Sequence, residues 1–127
     1  MTGPRRLVAA VLLVSAFLGV AAPGDAAARS HACYSGDLRY PFITDAPAVF
    51  GVHKLRISGA GCATAHRVAK RWMTKYEAGV DAGRSLPPRS VAGFAFTTLR
   101  PDAAQTYRER GRRGTVTIRF DYLVPSG

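Results

Sequence analysis

The chain has 127 residues, of which 18 are Lys or Arg and 8 are Asp or Glu, for a formal net charge of +10 at pH 7. That length holds one domain and no more, and it contains neither a Gly-x-x-x-x-Gly-Lys phosphate loop nor a dinucleotide-binding fingerprint. A basic surface attracts polyanions such as wall polymers, anionic headgroups and nucleic acid. The richness in Arg, Ala and Gly is also what a GC-rich genome writes into its proteins, and charge keeps an exported protein soluble.

The start of the chain reads as an export signal. Arg5 and Arg6 supply a positive end, and Leu7 to Ala22 follows as 16 uncharged residues. Pro23-Gly24 breaks that run, and Ala26-Ala27-Ala28 offers small side chains to a signal peptidase. This order is that of a secretory signal peptide over residues 1–28. The apolar run is short for a membrane span, which needs roughly 20 residues. Cys33 follows Ser30-His31-Ala32, without the aliphatic residue of a lipobox. Cleavage after Ala28 removes Arg5, Arg6 and Asp25, leaving 99 residues with 16 basic and 7 acidic side chains, a net charge of +9. The expected setting is extracellular, with no membrane span after cleavage.

Residues 29–48 are polar and turn-rich, with Pro41 and Pro47, and form an N-terminal arm or edge strand. Tyr34, Leu38, Tyr40, Phe42 and Ile43 give it apolar surface to bury. Residues 49–127 form the α+β domain. Val49 to Ser58 is a strand in which Leu55 and Ile57 alternate with Lys54 and Arg56, although the alternation is imperfect upstream. After the turn Gly59-Ala60-Gly61 comes an amphipathic helix, Gly61 to Ala78. Its Val68, Trp72, Ala65, Tyr76, Ala69, Cys62, Met73 and His66 share an arc of about 160°. Arg67, Lys70, Arg71, Thr74 and Lys75 fall on the other arc. Gly79 offers a C-terminal stop.

Residues 79–90 form a loop, because Pro87-Pro88 cannot continue a helix. Val91 to Leu99 is a second strand with Phe94 and Phe96 on one face, and Pro101-Asp102 a turn. Residues 103–110 fit a short helix or a strand. A strand is favoured because Gly111-Arg112-Arg113-Gly114 reads as a hairpin turn. Thr115 to Val124 is the clearest strand, with Val116, Ile118, Phe120 and Tyr122 facing one way. The class these elements predict is α+β: one amphipathic helix on a small, mainly antiparallel sheet of three to four strands. Cys33 and Cys62 are the two cysteines. In an exported domain they read as a disulfide closing the arm onto the helix start. A loop of about 30 residues closed this way is worth about 3–4 kcal/mol in the chain-entropy model.

The succession of a strand, Gly-Ala-Gly-Cys62-Ala-Thr-Ala65, a basic helix with Trp72, Gly93-Phe94 and a closing hairpin resembles small exported proteins of unknown function from high-GC Gram-positive bacteria. Their pattern is a strand, a Gly-x-x-Cys-x-x-Ala helix start, Gly-Phe/Trp-x-Cys and a final hairpin with another Cys. The resemblance covers roughly residues 50 to 122. It implies that Phe96 stands at the third cysteine and Tyr107 at the fourth, so that an aromatic contact replaces a second disulfide. It implies a fold and a compartment but no activity.

Candidate chemistry is sparse. His31-x-Cys33 with Cys62-x-x-x-His66 has metal-ligand character, and Cys62 at a helix start beside His66 has the makings of a nucleophile. A disulfide would consume both thiols, so neither a metal site nor catalysis is expected. His53 stands alone, and the aspartates show no spacing suited to acid–base work. Two basic clusters remain: Arg67, Lys70, Arg71 and Lys75 on the helix, and Arg108, Arg110, Arg112 and Arg113 in the last hairpin. Together on one side they would form an anion-binding surface. Tyr107 is the one aromatic residue beside them, which argues against a nucleic-acid stacking platform. The expectation is a secreted, non-enzymatic binding module, without cofactor, for an anionic cell-envelope polymer or a protein. The alternatives are an accessory exported protein without a ligand, and a Cys/His metal-binding protein.

Overall fold

The structure is a computed structural model that describes Gly3, residues 29–102 and residues 105–125. Apart from Gly3, the export signal expected over residues 1–28 lies outside the described residues, as do positions 103 and 104. In chain order the elements are β1 (His31–Ala32), a 3-10 turn (Gly36–Leu38), β2 (Arg39–Tyr40), β3 (Phe50–Ser58), α1 (Cys62–Asp81), β4 (Ser90–Val91), β5 (Phe94–Asp102), β6 (Thr106–Arg113) and β7 (Val116–Leu123). The class is α+β as expected, with one helix on an antiparallel sheet. The sheet has seven strands rather than three or four. The excess is β1, β2 and β4, two-residue pairings that propensity alone cannot signal.

The strand order is β1-β3-β7-β6-β5-β4, with β2 also on β3. The first long strand therefore lies beside the last. To pass from β3 to β5 the chain must cross β7 and β6, and α1 is that crossing. Its apolar stripe is what allows it to cover the sheet. Ala65, Val68, Ala69, Trp72 and Tyr76 are the buried residues of α1. Trp72 is fully buried, stacked on Tyr76 at 5.4 Å and edge-on to Tyr122 and Phe120 at 4.8 and 5.1 Å. Such aromatic pairs add about 0.5–1.5 kcal/mol each beyond their burial. Among the described residues no helix is long and apolar enough to cross a membrane.

Four boundaries differ from expectation, each for a local reason. The helix runs through Gly79 to Asp81 and stops at Gly83, where φ is +80°. The Gly83 N–H donates to the Val80 carbonyl and the Arg84 N–H to that of Gly79, a Schellman cap. The strand expected over Val91 to Leu99 is split by Ala92 and Gly93, both at positive φ, as in a tight two-residue hairpin turn. Pro101 and Asp102 extend β5 instead of turning. At Pro101 β5 pairs with β6 alone, since β4 reaches only Phe94 and Ala95, and an edge strand tolerates proline. The final hairpin turns at Gly114-Thr115, so Gly111 lies within β6 between Phe96 and Ile118. A Cβ at Gly111 would lie 2.5 Å from the Phe96 ring, so the absent side chain makes room for Phe96.

The broken alternation in β3 also has a cause. Lys54 has φ +53°, and the β3–β7 register shifts between His53 and Arg56. This bulge turns both Val52 and Leu55 inward although they are three apart, and both are buried.

The arm runs back along the free edge of β3. His31 pairs with Ile57 and Arg39 with Gly51, and the Ser35 hydroxyl donates to the Val52 carbonyl at 2.9 Å. Leu38 is buried and Tyr40 half-buried, but Tyr34, Phe42 and Ile43 are exposed, contrary to expectation. Cys33 and Cys62 form the expected disulfide, with Cα atoms 5.4 Å apart. Replacing Gly111 with Ala is expected to destabilise the protein by about 1–3 kcal/mol, read as a lowered urea midpoint. The Cys33→Ser/Cys62→Ser double variant is expected to lose about 2–4 kcal/mol in the same assay.

Candidate functional site

The layered fold separates the two basic clusters. α1 lays its apolar stripe on one face of the sheet, so Arg67, Lys70, Arg71 and Lys75 point away from the sheet on the far side of the helix. There they border a shallow depression with Thr74 and Ala78, and the Lys75 ammonium donates to the Ser90 carbonyl at 2.7 Å. In β6 side chains alternate between faces. Tyr107, Glu109 and Gly111 face α1, as the Tyr107–Tyr76 contact at 5.6 Å shows. Arg108, Arg110 and Arg112 therefore lie on the opposite, open face of the sheet. The helix cluster and the hairpin cluster do not form one surface. Arg113 leaves its cluster as well: it lies over the Phe94 ring at 4.5 Å and donates to the Ala92 carbonyl.

Strand register builds a different constellation on the open face. Arg119 of β7 pairs directly with Arg56 of β3 on one side and with Arg110 of β6 on the other, and Arg110 pairs with Thr97 of β5. Directly opposed Cβ atoms lie about 5 Å apart, and like charges so placed repel. Among the described residues no carboxylate lies within salt-bridge distance of these three arginines. Arg56 donates from Nε to the Ser30 hydroxyl and from a terminal nitrogen to the Ser30 carbonyl, both at 2.9 Å, which steadies its guanidinium.

The neighbouring rows are different. In one, Arg108 pairs with Asp121 and donates to its two oxygens at 3.0 and 3.3 Å. That carboxylate holds the Arg108 guanidinium above its ordinary pKa, first by hydrogen bonding and then by charge. Lys54 lies 3.9 Å from the same carboxylate. On the other side Arg112 pairs with Thr117. The central row thus carries uncompensated positive charge, flanked by one neutralised arginine and one further cation.

The cysteine–histidine constellation resolves into two separate contacts. Ligand atoms of His31, Cys33 and Cys62 lie within 4.8 Å of one another, but both sulfurs are bonded to each other. No thiolate is left for a metal or for nucleophilic attack in this oxidised form. His66 points instead to the arm, with Nε2 2.6 Å from Asp37 Oδ2. His53 Nε2 contacts the Val49 carbonyl at 2.6 Å.

The sheet's inner face holds a buried acid that the sequence did not single out. Glu109 is fully buried and accepts one hydrogen bond, from the Thr98 hydroxyl at 2.9 Å. Its Oε2 and Trp72 Nε1 are buried without partners among the described residues. Burial pushes its carboxyl up to about 7, against the lowering effect of the Thr98 bond.

No family model, curated protein or solved structure matches the chain. The aromatic contact that the resemblance implies between Phe96 and Tyr107 is not formed. Phe96 sits opposite Gly111 and meets Phe120 at 6.0 Å, whereas Tyr107 sits opposite Pro101 and meets Tyr76. Sequence reasoning missed Arg56 and Arg119 as partners of Arg110. Their strand alternation was visible, but Arg56 meets Arg119 only by pairing residues 63 positions apart, and Arg119 meets Arg110 only in the register set by a hairpin turn at Gly114-Thr115.

Glu109 makes stability depend on pH in a fixed direction. Its folded pKa of about 7 lies above the unfolded value, so the native state favours the proton. Stability is full below about pH 4.5 and falls as the pH rises through 7. The expected cost at pH 8 is on the order of 3 kcal/mol. Glu109→Gln should raise the urea midpoint at pH 8 and leave it nearly unchanged at pH 4.

Proposed function

We propose that this protein is an exported, non-enzymatic binding domain whose open sheet face holds an anionic polymer of the cell envelope. The observation that carries this reading is the row Arg56–Arg119–Arg110, three guanidinium-bearing positions in direct cross-strand register. Such a row costs folding energy through like-charge repulsion, and a bound polyanion reverses the sign of that term. Arginine suits the role because its planar fork donates two hydrogen bonds to a phosphate or carboxylate.

The face is broad and open rather than a cleft, which fits a chain of repeated charges better than a small substrate. Flat antiparallel pairing spaces the positive groups at the inter-strand distance of about 4.8 Å, so a polymer would lie across the strands. The disulfide between Cys33 and Cys62 supports an oxidising compartment, in keeping with the export signal read from residues 1–28. The family resemblance adds the same compartment and no activity.

The helix cluster is the competing surface, and mutation separates the two. The probe is linear polyphosphate, titrated at several salt concentrations. Replacing Arg56, Arg110 and Arg119 together with Ser is expected to weaken binding at least tenfold at low salt. The slope of log affinity against log salt should flatten by roughly two to three units. Replacing Arg67, Lys70, Arg71 and Lys75 together should have a smaller effect. Loss of binding in the helix variant alone, or binding insensitive to salt, would remove the reading.

A further inference from the structure

A second site is built at the other pole of the charge distribution. Where α1 ends over β2 and the end of β7, an open cavity of about 240 Å³ is walled by Tyr40, Tyr76 and Tyr122, with Glu77 and Asp81 at its rim. Among the described residues no basic side chain lines it, in a chain whose net charge is +10. The buried Tyr122 hydroxyl donates to Glu77 Oε1 at 3.2 Å. Burial holds all three phenols above the ordinary tyrosine value, so the walls stay neutral and the negative charge sits with the carboxylates.

The electrostatics of this corner are unbalanced. Glu77 and Asp81 are four residues apart on one helix, a repulsive spacing for like charges. They also stand at the end of α1, where the helix dipole is already negative and a cation is the stabilising choice. The last turn has no basic residue. Among the described residues no cationic side chain lies within salt-bridge distance of either carboxylate. Two acids, a dipole end and an aromatic-walled cavity converge on a missing positive charge.

We infer that this cavity binds a primary alkylammonium group carried on a short aliphatic chain, the form a lysyl side chain presents. The rim offers carboxylate oxygens, which call for N–H donors and so for a primary rather than a quaternary amine. Val80 and Val124 in the lining give methylenes an apolar contact. The volume is below the roughly 300–1,000 Å³ typical of drug-sized ligands, so it takes a side-chain-sized group and not a whole cofactor. The site is independent of the arginine row, and either stands without the other.

Trp72, the single tryptophan, packs against Tyr76 and Tyr122 and so reports on the cavity from behind. The test titrates the protein with n-butylammonium chloride, reading Trp72 emission and the NMR signals of the tyrosine rings. Butanol and tetramethylammonium chloride serve as controls. Saturable shifts at Tyr40, Tyr76 and Tyr122 are expected with butylammonium, and at least about tenfold weaker effects with either control. Glu77→Gln/Asp81→Asn should weaken butylammonium at least about tenfold at a melting temperature no lower than the parent's. The Arg56, Arg110 and Arg119 variant should bind it as the parent does. The inference is overturned if butylammonium gives no saturable change, if either control binds equally well, or if the Glu77/Asp81 variant keeps its affinity.

Discussion

Trp72 holds the two layers together, and most of the molecule's surface chemistry follows from where it sits. Its indole lies fully buried among Tyr76, Phe120 and Tyr122, which pins α1 onto β7. Once the helix occupies one face of the sheet, the other face has no partner layer among the described residues. Arg56, Arg110 and Arg119 are left there in a common row. The same docking carries the last turn of α1 to the end of β7, so Glu77 meets Tyr122 and an acidic corner forms in a basic protein. Surfaces of opposite charge are thus consequences of one packing decision.

The edges of the sheet are managed by the rest of the chain. β3 would expose a free edge, and free edges invite pairing with other chains. The arm covers it with β1, β2 and the Ser35–Val52 hydrogen bond. The disulfide and the His66–Asp37 pair then tie that arm to the first turns of α1. The cover is covalently anchored at one point, and its distal side chains Phe42 and Ile43 remain in solvent. Glu109 is the local exception to this economy of burial. A carboxyl under the helix with one oxygen unpartnered breaks the usual rule that buried polar groups are satisfied, and its displaced pKa is the physical record of that conflict.

Legibility in the sequence tracked the range of the interaction. The stripe of α1 and the alternation of β7 are local periodicities, and both were readable residue by residue. Gly111 was misread as a turn because a glycine's reason is visible only when its neighbour is. That neighbour, Phe96, approaches across a strand pairing. Gly79 was read as the helix stop, but the cap fell to Gly83, the glycine at positive φ. For the candidate sites, Arg110 and Arg112 were legible as a charged run. Arg56 and Arg119 were not, because register joins them and nothing in their own segments announces it. Tyr40, Glu77 and Tyr122 come from three segments and could be grouped only after folding.

By itself, the sequence determined the class of fold, the buried face of the helix, the inward face of the last strand and the pairing of its two cysteines. These depend on period, composition and count, which are properties of neighbouring residues. The tertiary structure alone decided which charges share a surface. It put the helix cations and the hairpin arginines on opposite sides, aligned three arginines across β3, β7 and β6, and closed tyrosines and carboxylates around one cavity. Electrostatic proximity is set by distance in space, and the chain's order along the sequence carries that distance only after the sheet register and the helix crossing are in place.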